Sequence, residues 1–223
     1  MRYVRITSID DPLFPLMHGL MSRVFPPEEV LAYDLWAEPL QDPDIYVYVA
    51  LDGEEVVGAT EYRYYADLNS AMTDFTIIGK AGLGIGKFLW DRRLAHLREL
   101  AQQAGNKLAG GFAEIYDPYK AGHHDFGQIG PMNPFVRREV LSHLGYRKLD
   151  FDYVHPSWDL QGGAVEGLDL CYWSEDDSVE YLPSSLVVSF LKKYYSVMPV
   201  KPQQWLTMVE ELERRENIPL LPL

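Results

Sequence analysis

The sequence predicts a mixed α/β (α+β) fold: a mostly antiparallel sheet flanked by helices, followed by a helical C-terminal tail. Three observations carry this. Apolar, β-rich runs over 45–51, 56–65 and 71–78 are separated by short turn signals, Asp52-Gly53 and residues 67–70, which makes an antiparallel meander. Trp90, Leu94, Leu97, Ala101 and Ala104 then recur at helical spacing, and a further strand-like run over 107–116 closes a βαβ unit with parallel strands. Beyond residue 175 two helical patterns, over 183–195 and 201–215, form the tail. The division expected is one domain over 1–175 with an extension over 176–223 packed on it.

The remaining elements follow in order. Residues 3–7 alternate and read as a first strand. Asp10-Asp11-Pro12 marks a helix start, with Asp as cap and Pro in the first turn. Leu13, Leu16, Met17, Leu20, Met21 and Val24 supply its apolar stripe, and Phe25-Pro26-Pro27-Glu28-Glu29 predicts a restart into a second helix through Leu35 or beyond, ended by Asp42-Pro43-Asp44. Gly105-Asn106 signals the end of the long central helix. Residues 117–131 read as a loop, Asn133 or Pro134 opens a short helix to Leu144, and strands over 147–155 and 168–173 follow. In the tail, Leu186, Phe190 and Tyr194 form a stripe that packs on the body or on another subunit. Trp205, Leu220 and Leu221 are surplus apolar residues that make a homodimer reasonable.

Composition narrows the function classes. The 223 residues are 47% hydrophobic, ample for a core, and hold no run of about 18 apolar residues, so no membrane span is expected. The opening residues lack the apolar core of a signal peptide. Cys171 is the single cysteine, which excludes internal disulfides and fits a cytoplasmic protein; it reads as a buried strand residue. The formal charge of −13 argues against nucleic acid and is compatible with a cationic amine substrate.

The chain is organised around residues 76–90. A strand end meets Gly79, Gly82, Gly84 and Gly86, and a helix begins directly. Glycines let backbone approach a bulky anion, and the first turn of a helix presents unpaired N–H groups and positive potential. This is a phosphate or pyrophosphate cradle. It is not the nucleotide P-loop, since Phe88 stands where the magnesium-binding hydroxyl belongs. Gly82-Leu-Gly84-Ile-Gly86 is one residue short of the dinucleotide fingerprint. A plain flexible turn is the alternative.

Ala81-Gly-Leu-Gly84-Ile-Gly86 resembles the acyl-CoA pyrophosphate loop of the GNAT superfamily of N-acyltransferases, with Ala81 where Arg or Gln is usual; Lys80 and Lys87 can supply the lost charge. The element order over 1–173 is that of the GNAT fold. Asn133 through Gly145-Tyr146 resembles the segment usually written Asn…Phe-Tyr-x-x-x-Gly-Phe. Ala113-Glu114-Ile115-Tyr116-Asp117-Pro118 and Tyr153-Val154-His155-Pro156 are similar to phrases of a bacterial subgroup with a helical tail. The resemblance implies acyl-CoA, most simply acetyl-CoA, as co-substrate. The pantetheine arm would lie between splayed strands beside Thr76, Ile77 and Ile78. The pyrophosphate would sit on the N–H groups from Lys80, Ala81, Gly82, Leu83 and Gly84 to Ile85, Gly86 and Lys87. A backbone N–H near Ile77 would polarise the thioester carbonyl.

Such transfer to a primary amine needs a base and an acid. The usual acid position is Leu141, which cannot donate. Glu61, Asp74 and Glu114 are the candidate bases. Glu114 comes first, because an apolar strand there would desolvate it and raise its pKa; the alternative is a pairing with Arg or a cap on the following loop. Tyr116 shares its strand face and is the candidate acid or substrate contact. His123 and His124, with no matching Cys or second His pair, make a weak metal site; no metal is expected, and their loop would line the amine pocket. His143 and His155 are expected at the surface or behind the site. Two functions therefore stand: direct acyl transfer to the primary amine of a small molecule, which Glu114 favours, and a catalytically weak acyl-CoA-binding partner, which Leu141 favours. A protein with an incidental glycine turn is the third.

Overall fold

The computed structural model describes residues 1–120, 126–157, 162–165 and 167–223. A nine-stranded mixed sheet is its frame. The strands of the first half are β1 (Arg2–Ile6), β2 (Ile45–Asp52), β3 (Glu55–Tyr65), β4 (Ser70–Ile78) and β5 (Gly110–Tyr116). The second half adds β6 (Arg147–Leu149), β9 (Leu168–Ser174), β10 (Tyr181–Pro183) and β11 (Asn217–Pro222). A separate two-stranded ribbon pairs β7 (His155–Pro156) with β8 (Ala164–Val165). The order is β1-β2-β3-β4-β5-β9-β6-β11-β10, and every neighbouring pair is antiparallel except β4 with β5. That parallel pair is joined by α2 (Ile85–Gln103), as the predicted βαβ unit requires.

Helices cover both faces. α1 (Phe14–Val24), α4 (Ser184–Tyr194) and α5 (Gln203–Glu213) pack on one face through Met17, Leu20, Phe190, Leu191 and Trp205. α2 and α3 (Pro134–His143) cover the other through Leu97, Ala101 and Leu141. α1 starts later than the Asp10-Asp11-Pro12 signal places it: Leu13 is the N-cap with no side-chain cap, Asp11 accepts the Leu13 N–H at 2.8 Å, and Pro15 rather than Pro12 sits in the first turn. The Asn133 side chain caps α3 by accepting from the N–H groups of Phe135 and Val136.

Three further expectations are corrected. The second helix over 25–35 is instead three short 3₁₀ turns, Pro27–Glu29, Tyr33–Trp36 and Pro39–Gln41. Pro26, Pro27 and Pro39 withhold the N–H donors that a continuous helix needs. Side chains fasten the stretch: Trp36 Nε1 donates to Leu31 O at 3.1 Å. The strand over 147–155 stops at Leu149. The tail is not helical alone, because β11 inserts between β6 and β10. Its core-facing residues are consumed within the chain: Trp205 and Leu220 are buried, and of the three residues behind the homodimer expectation only Leu221 is exposed. Among the described residues no helix is long and apolar enough to cross a membrane.

The sheet is irregular at its centre. On β4 the register runs from Thr73 opposite Tyr62 directly to Phe75 opposite Glu61, so Asp74 is an extra, bulged residue. Pairing of β4 with β5 ends at the same level, with Thr73 opposite Ala113. Beyond it, residues 74–78 of β4 and 114–116 of β5 have no ladder between them, and the sheet parts.

Candidate active site

The glycine turn stands at the open end of this gap. Gly82 and Gly84 have φ of +82° and +66°, the left-handed region that favours glycine, and Gly84 is the N-cap of α2. A Cβ at either would meet nothing within 4 Å, so the backbone there lies open to a ligand. Ala81, Leu83 and Lys80 complete the turn. In the first turn of α2, Gly86 packs against Ile78, where a Cβ would approach to 2.9 Å, and Ile85 is core. The two lysines are less available than the sequence suggests: Lys80 pairs with Glu55 at 3.1 Å and Lys87 with Asp91 at 2.5 Å.

Register corrects which β4 amides face the gap. Gly79 N–H donates to Val57 O at 2.9 Å, and strand amides alternate in direction. Ile77 N–H therefore points into β3, so the polarising donor expected near it has to be a neighbour. Thr76 and Ile78 N–H point toward the opening, and Ile78 N–H is engaged by Met132 Sδ at 3.3 Å. Thr76 is the amide that remains directed into the gap.

On the α1 face the gap opens into a cavity of about 770 Å³. One wall is α1 and the 3₁₀ turns, with Met21, Phe25, Leu31 and Trp36; the other is the tail, with Tyr194 and Val197. Its floor is polar: Glu61 and Arg63 of β3, Asp74 of the bulge, Glu114 of β5, and His155. Asp74 and Glu114, far apart in sequence, are thus brought together. Tyr116 is one step removed, its hydroxyl donating to Glu29 on the rim.

The carboxylates are in different electrostatic states. Burial, reinforced by Asp74, pushes Glu61 up to about 8 against the pull of Arg63. Burial also raises Asp74, opposed by Arg63 and by the Tyr194 hydroxyl, which donates to Oδ1 at 2.8 Å. Glu114 behaves opposite to expectation. Burial does act to raise it, but the charge and hydrogen bond of His155 and the hydroxyls of Tyr153 and Tyr195 outweigh burial and hold it below the ordinary carboxylate value. His155 Nε2 lies 3.4 Å from Glu114, and the pair raises the imidazole although burial alone would lower it. Glu114 and His155 are therefore a buried ion pair, and Glu61 is the carboxylate poised to exchange a proton near neutrality.

Sequence reasoning missed Arg63, Tyr153 and Tyr195, and placed His155 and Tyr194 in passive roles. Tyr153-Val154-His155 was visible as a phrase, and that phrase is the signal that could have found two of them. His123 and His124 lie outside the described residues.

No protein-family model matches the chain, and no curated protein is significantly similar in sequence. Solved structures do match. An acetyltransferase of the GNAT family from Bacteroides thetaiotaomicron aligns over 90% of this chain and 100% of its own, with a TM-score of 0.60 and 16% identity. A ribosomal-protein alanine N-acetyltransferase from Escherichia coli aligns over 78% of this chain and 94% of its own, with a TM-score of 0.50 and 12% identity. The chain has the GNAT fold. At these identities the likeness defines architecture, and activity has to be argued from the site.

Proposed function

We propose that the protein is an N-acyltransferase that moves an acyl group, acetyl in the simplest case, directly from acyl-CoA to the primary amine of a small molecule. The observation that carries this is the parted sheet. One gap connects a glycine-lined helix N-terminus, suited to a pyrophosphate, to an acidic cavity on the opposite side, suited to an ammonium. The cavity is distinct from the glycine turn, so donor and acceptor would approach from different sides and meet at the bulge.

Each residue has a task in this reading. The amides of Gly82, Gly84 and the first turn of α2 hold the diphosphate. Thr76 N–H, directed into the gap, polarises the acyl carbonyl. Glu61 takes the proton that the ammonium must lose; a value near 8 suits that transfer. Asp74, fixed by Arg63 and Tyr194, and Glu114, fixed by His155, Tyr153 and Tyr195, stay in place to attract and orient the cation. Apolar walls around them favour an acceptor with a hydrocarbon body beside its amine.

The test is a thiol-release assay with acetyl-CoA and a panel of small primary amines. Transfer that saturates in both substrates supports the reading. Binding of CoA without transfer to any amine would support the second reading, an acyl-CoA-binding partner, which the aliphatic Leu141 on α3 favours.

A further inference from the structure

Behind the gap, on the α2 face, lies a polar cluster that the scheme above leaves idle. Arg93 is 3% exposed, and its Nη1 donates to Thr60 Oγ1 and Thr76 Oγ1 at 2.8 Å each. Its guanidinium lies 5.3 Å from the centre of the Trp90 ring. Among the described residues no carboxylate pairs with it. Beside it, the hydroxyls of Thr73, 6% exposed, and Tyr146, 1% exposed, are buried without a hydrogen-bond partner. Tyr146 lies close enough to Thr73 and Arg93 to interact with both, yet neither hydroxyl closes a hydrogen bond of ordinary geometry. A buried cation without a counter-ion and two orphaned hydroxyls are each costly, and native proteins hold few of them. Three at one spot form a ready site for a buried acceptor of negative charge.

Position says which acceptor. Thr73 is the last β4 residue paired with β5, so the cluster floors the closed end of the gap. Thr76, which Arg93 holds by its side chain, is the residue whose N–H faces the gap. The ionisable neighbours are Arg93 of α2, Tyr146, Cys171 of β9, Tyr62 of β3 and Tyr3 of β1. Burial raises those tyrosines and that thiol, so Arg93 is the charge that reaches Tyr146, while Asp169, Arg138 and Lys148 act on Cys171 and Arg92 on Tyr3. Ala113, Leu141 and Trp173, which share a packed cluster with Tyr146, are apolar. A small, soft anion suits such surroundings better than a hydrated one.

We propose that Arg93, Thr73 and Tyr146 form the binding site for the sulfur of acyl-CoA and hold it as the departing thiolate. This rests on the acyl-transfer reading and deepens it. The amine forms its C–N bond to the acyl carbon, the C–S bond breaks, and its electron pair leaves on sulfur. Glu61 passes the amine's proton to solvent, and the thiolate regains a proton from water after release. Leu141 is then tolerable because the leaving group is stabilised as an anion and needs no acid.

The test compares CoA with desulfo-CoA by calorimetry from pH 6 to 9, on wild type, Tyr146→Phe and Thr73→Val. In wild type, CoA binds at least tenfold tighter than desulfo-CoA at pH 9, with the gap narrowing toward pH 6, and the thiolate ultraviolet band of bound CoA appears at least one pH unit below that of free CoA. Tyr146→Phe and Thr73→Val each cut the discrimination at least threefold. Neither variant lowers the melting temperature by more than a degree or two, because neither hydroxyl closes a hydrogen bond of ordinary geometry; a structural hydroxyl would lower it further. Equal affinity for the two ligands in wild type, or unchanged discrimination in both variants, overturns the sulfur site alone. Failure of both ligands to bind overturns this proposal together with the acyl-CoA reading.

Discussion

Glu61→Gln separates the two carboxylates that compete for the role of base. With its value pushed up to about 8, Glu61 is ionised to roughly 1% at pH 6, roughly 10% at pH 7 and half at pH 8. If it is the base, kcat/KM rises about tenfold per pH unit up to that point and then levels. Glu114, held below the ordinary carboxylate value by His155 and two tyrosines, would be ionised throughout the neutral range and give a flat profile there. The acceptor amine also titrates, so the observable is the ratio of wild type to Glu61→Gln, in which that contribution cancels. Loss of a positioned base costs about 10²–10⁴-fold, and the ratio should grow with pH toward 8. Stability moves the other way. The folded chain retains a proton on Glu61 that the unfolded chain gives up above its ordinary 4.5, so wild type loses stability as pH rises through the window from 4.5 to 8. The glutamine variant lacks that loss and melts higher on the alkaline side. An active Glu61→Gln with a flat ratio, alongside an inactive Glu114→Gln, would refute the assignment and return the role to Glu114.

Tyr194→Phe removes the 2.8 Å hydrogen bond to Asp74; the KM for the amine rises several-fold and that for acetyl-CoA stays constant, because the tail walls only the acceptor side. Gly84→Glu puts a carboxylate and a residue with φ of +66° at the diphosphate cradle; CoA affinity measured by calorimetry falls at least tenfold, while the cavity's amine preference is unaltered. Gly110→Ala would bring a Cβ to 2.1 Å from Trp173 O and 2.7 Å from the Tyr172 ring; overpacking against backbone costs about 3 kcal/mol, seen as a melting temperature lowered by roughly 6–12 °C.

How much of this was legible depends on the distance over which a signal acts. The α1 stripe from Phe14 to Val24, the meander through Asp52-Gly53 and the glycine turn are local, and their periods and turn residues name them. β11 was not legible: Pro219 and Pro222 argue against a strand. It forms because its partners β6 and β10 are three residues each and ask for few donors. The three 3₁₀ turns were hidden for the converse reason, since Leu31, Leu35 and Trp36 mimic a helical stripe between prolines. In the site, Asp74 and Glu114 could be flagged as charges in apolar strands, but their pKa directions could not. An apolar strand predicts a raised Glu114. The lowered value comes from His155, Tyr153 and Tyr195, which arrive from other elements.

One inserted residue explains why the site is where it is. A regular β4 would alternate Thr73, Asp74, Phe75 and Thr76 between faces and would continue its ladder with β5 to residue 116. The bulge at Asp74 turns Asp74 and Phe75 toward the same face, so a carboxylate and an aromatic both reach the cavity. It also shifts the strand's twist at the level where β5 must keep pace, and there the parallel pairing ends. The gap and the acidic floor are therefore one deformation. Its cost falls on residues 74–78, whose outward amides lose their strand partner, and it is offset by the layers on both sides. On the cavity side, Arg63 ties Glu61 to Asp74, and Tyr194 ties Asp74 to the tail. On the α2 side, Arg93 ties Thr60 of β3 to Thr76 of β4. Two arginines, one on each face, thus brace β3 against β4 across the irregular register. That bracing leaves β4 free to part from β5 without parting from β3, which is the asymmetry a slot for a thioester requires.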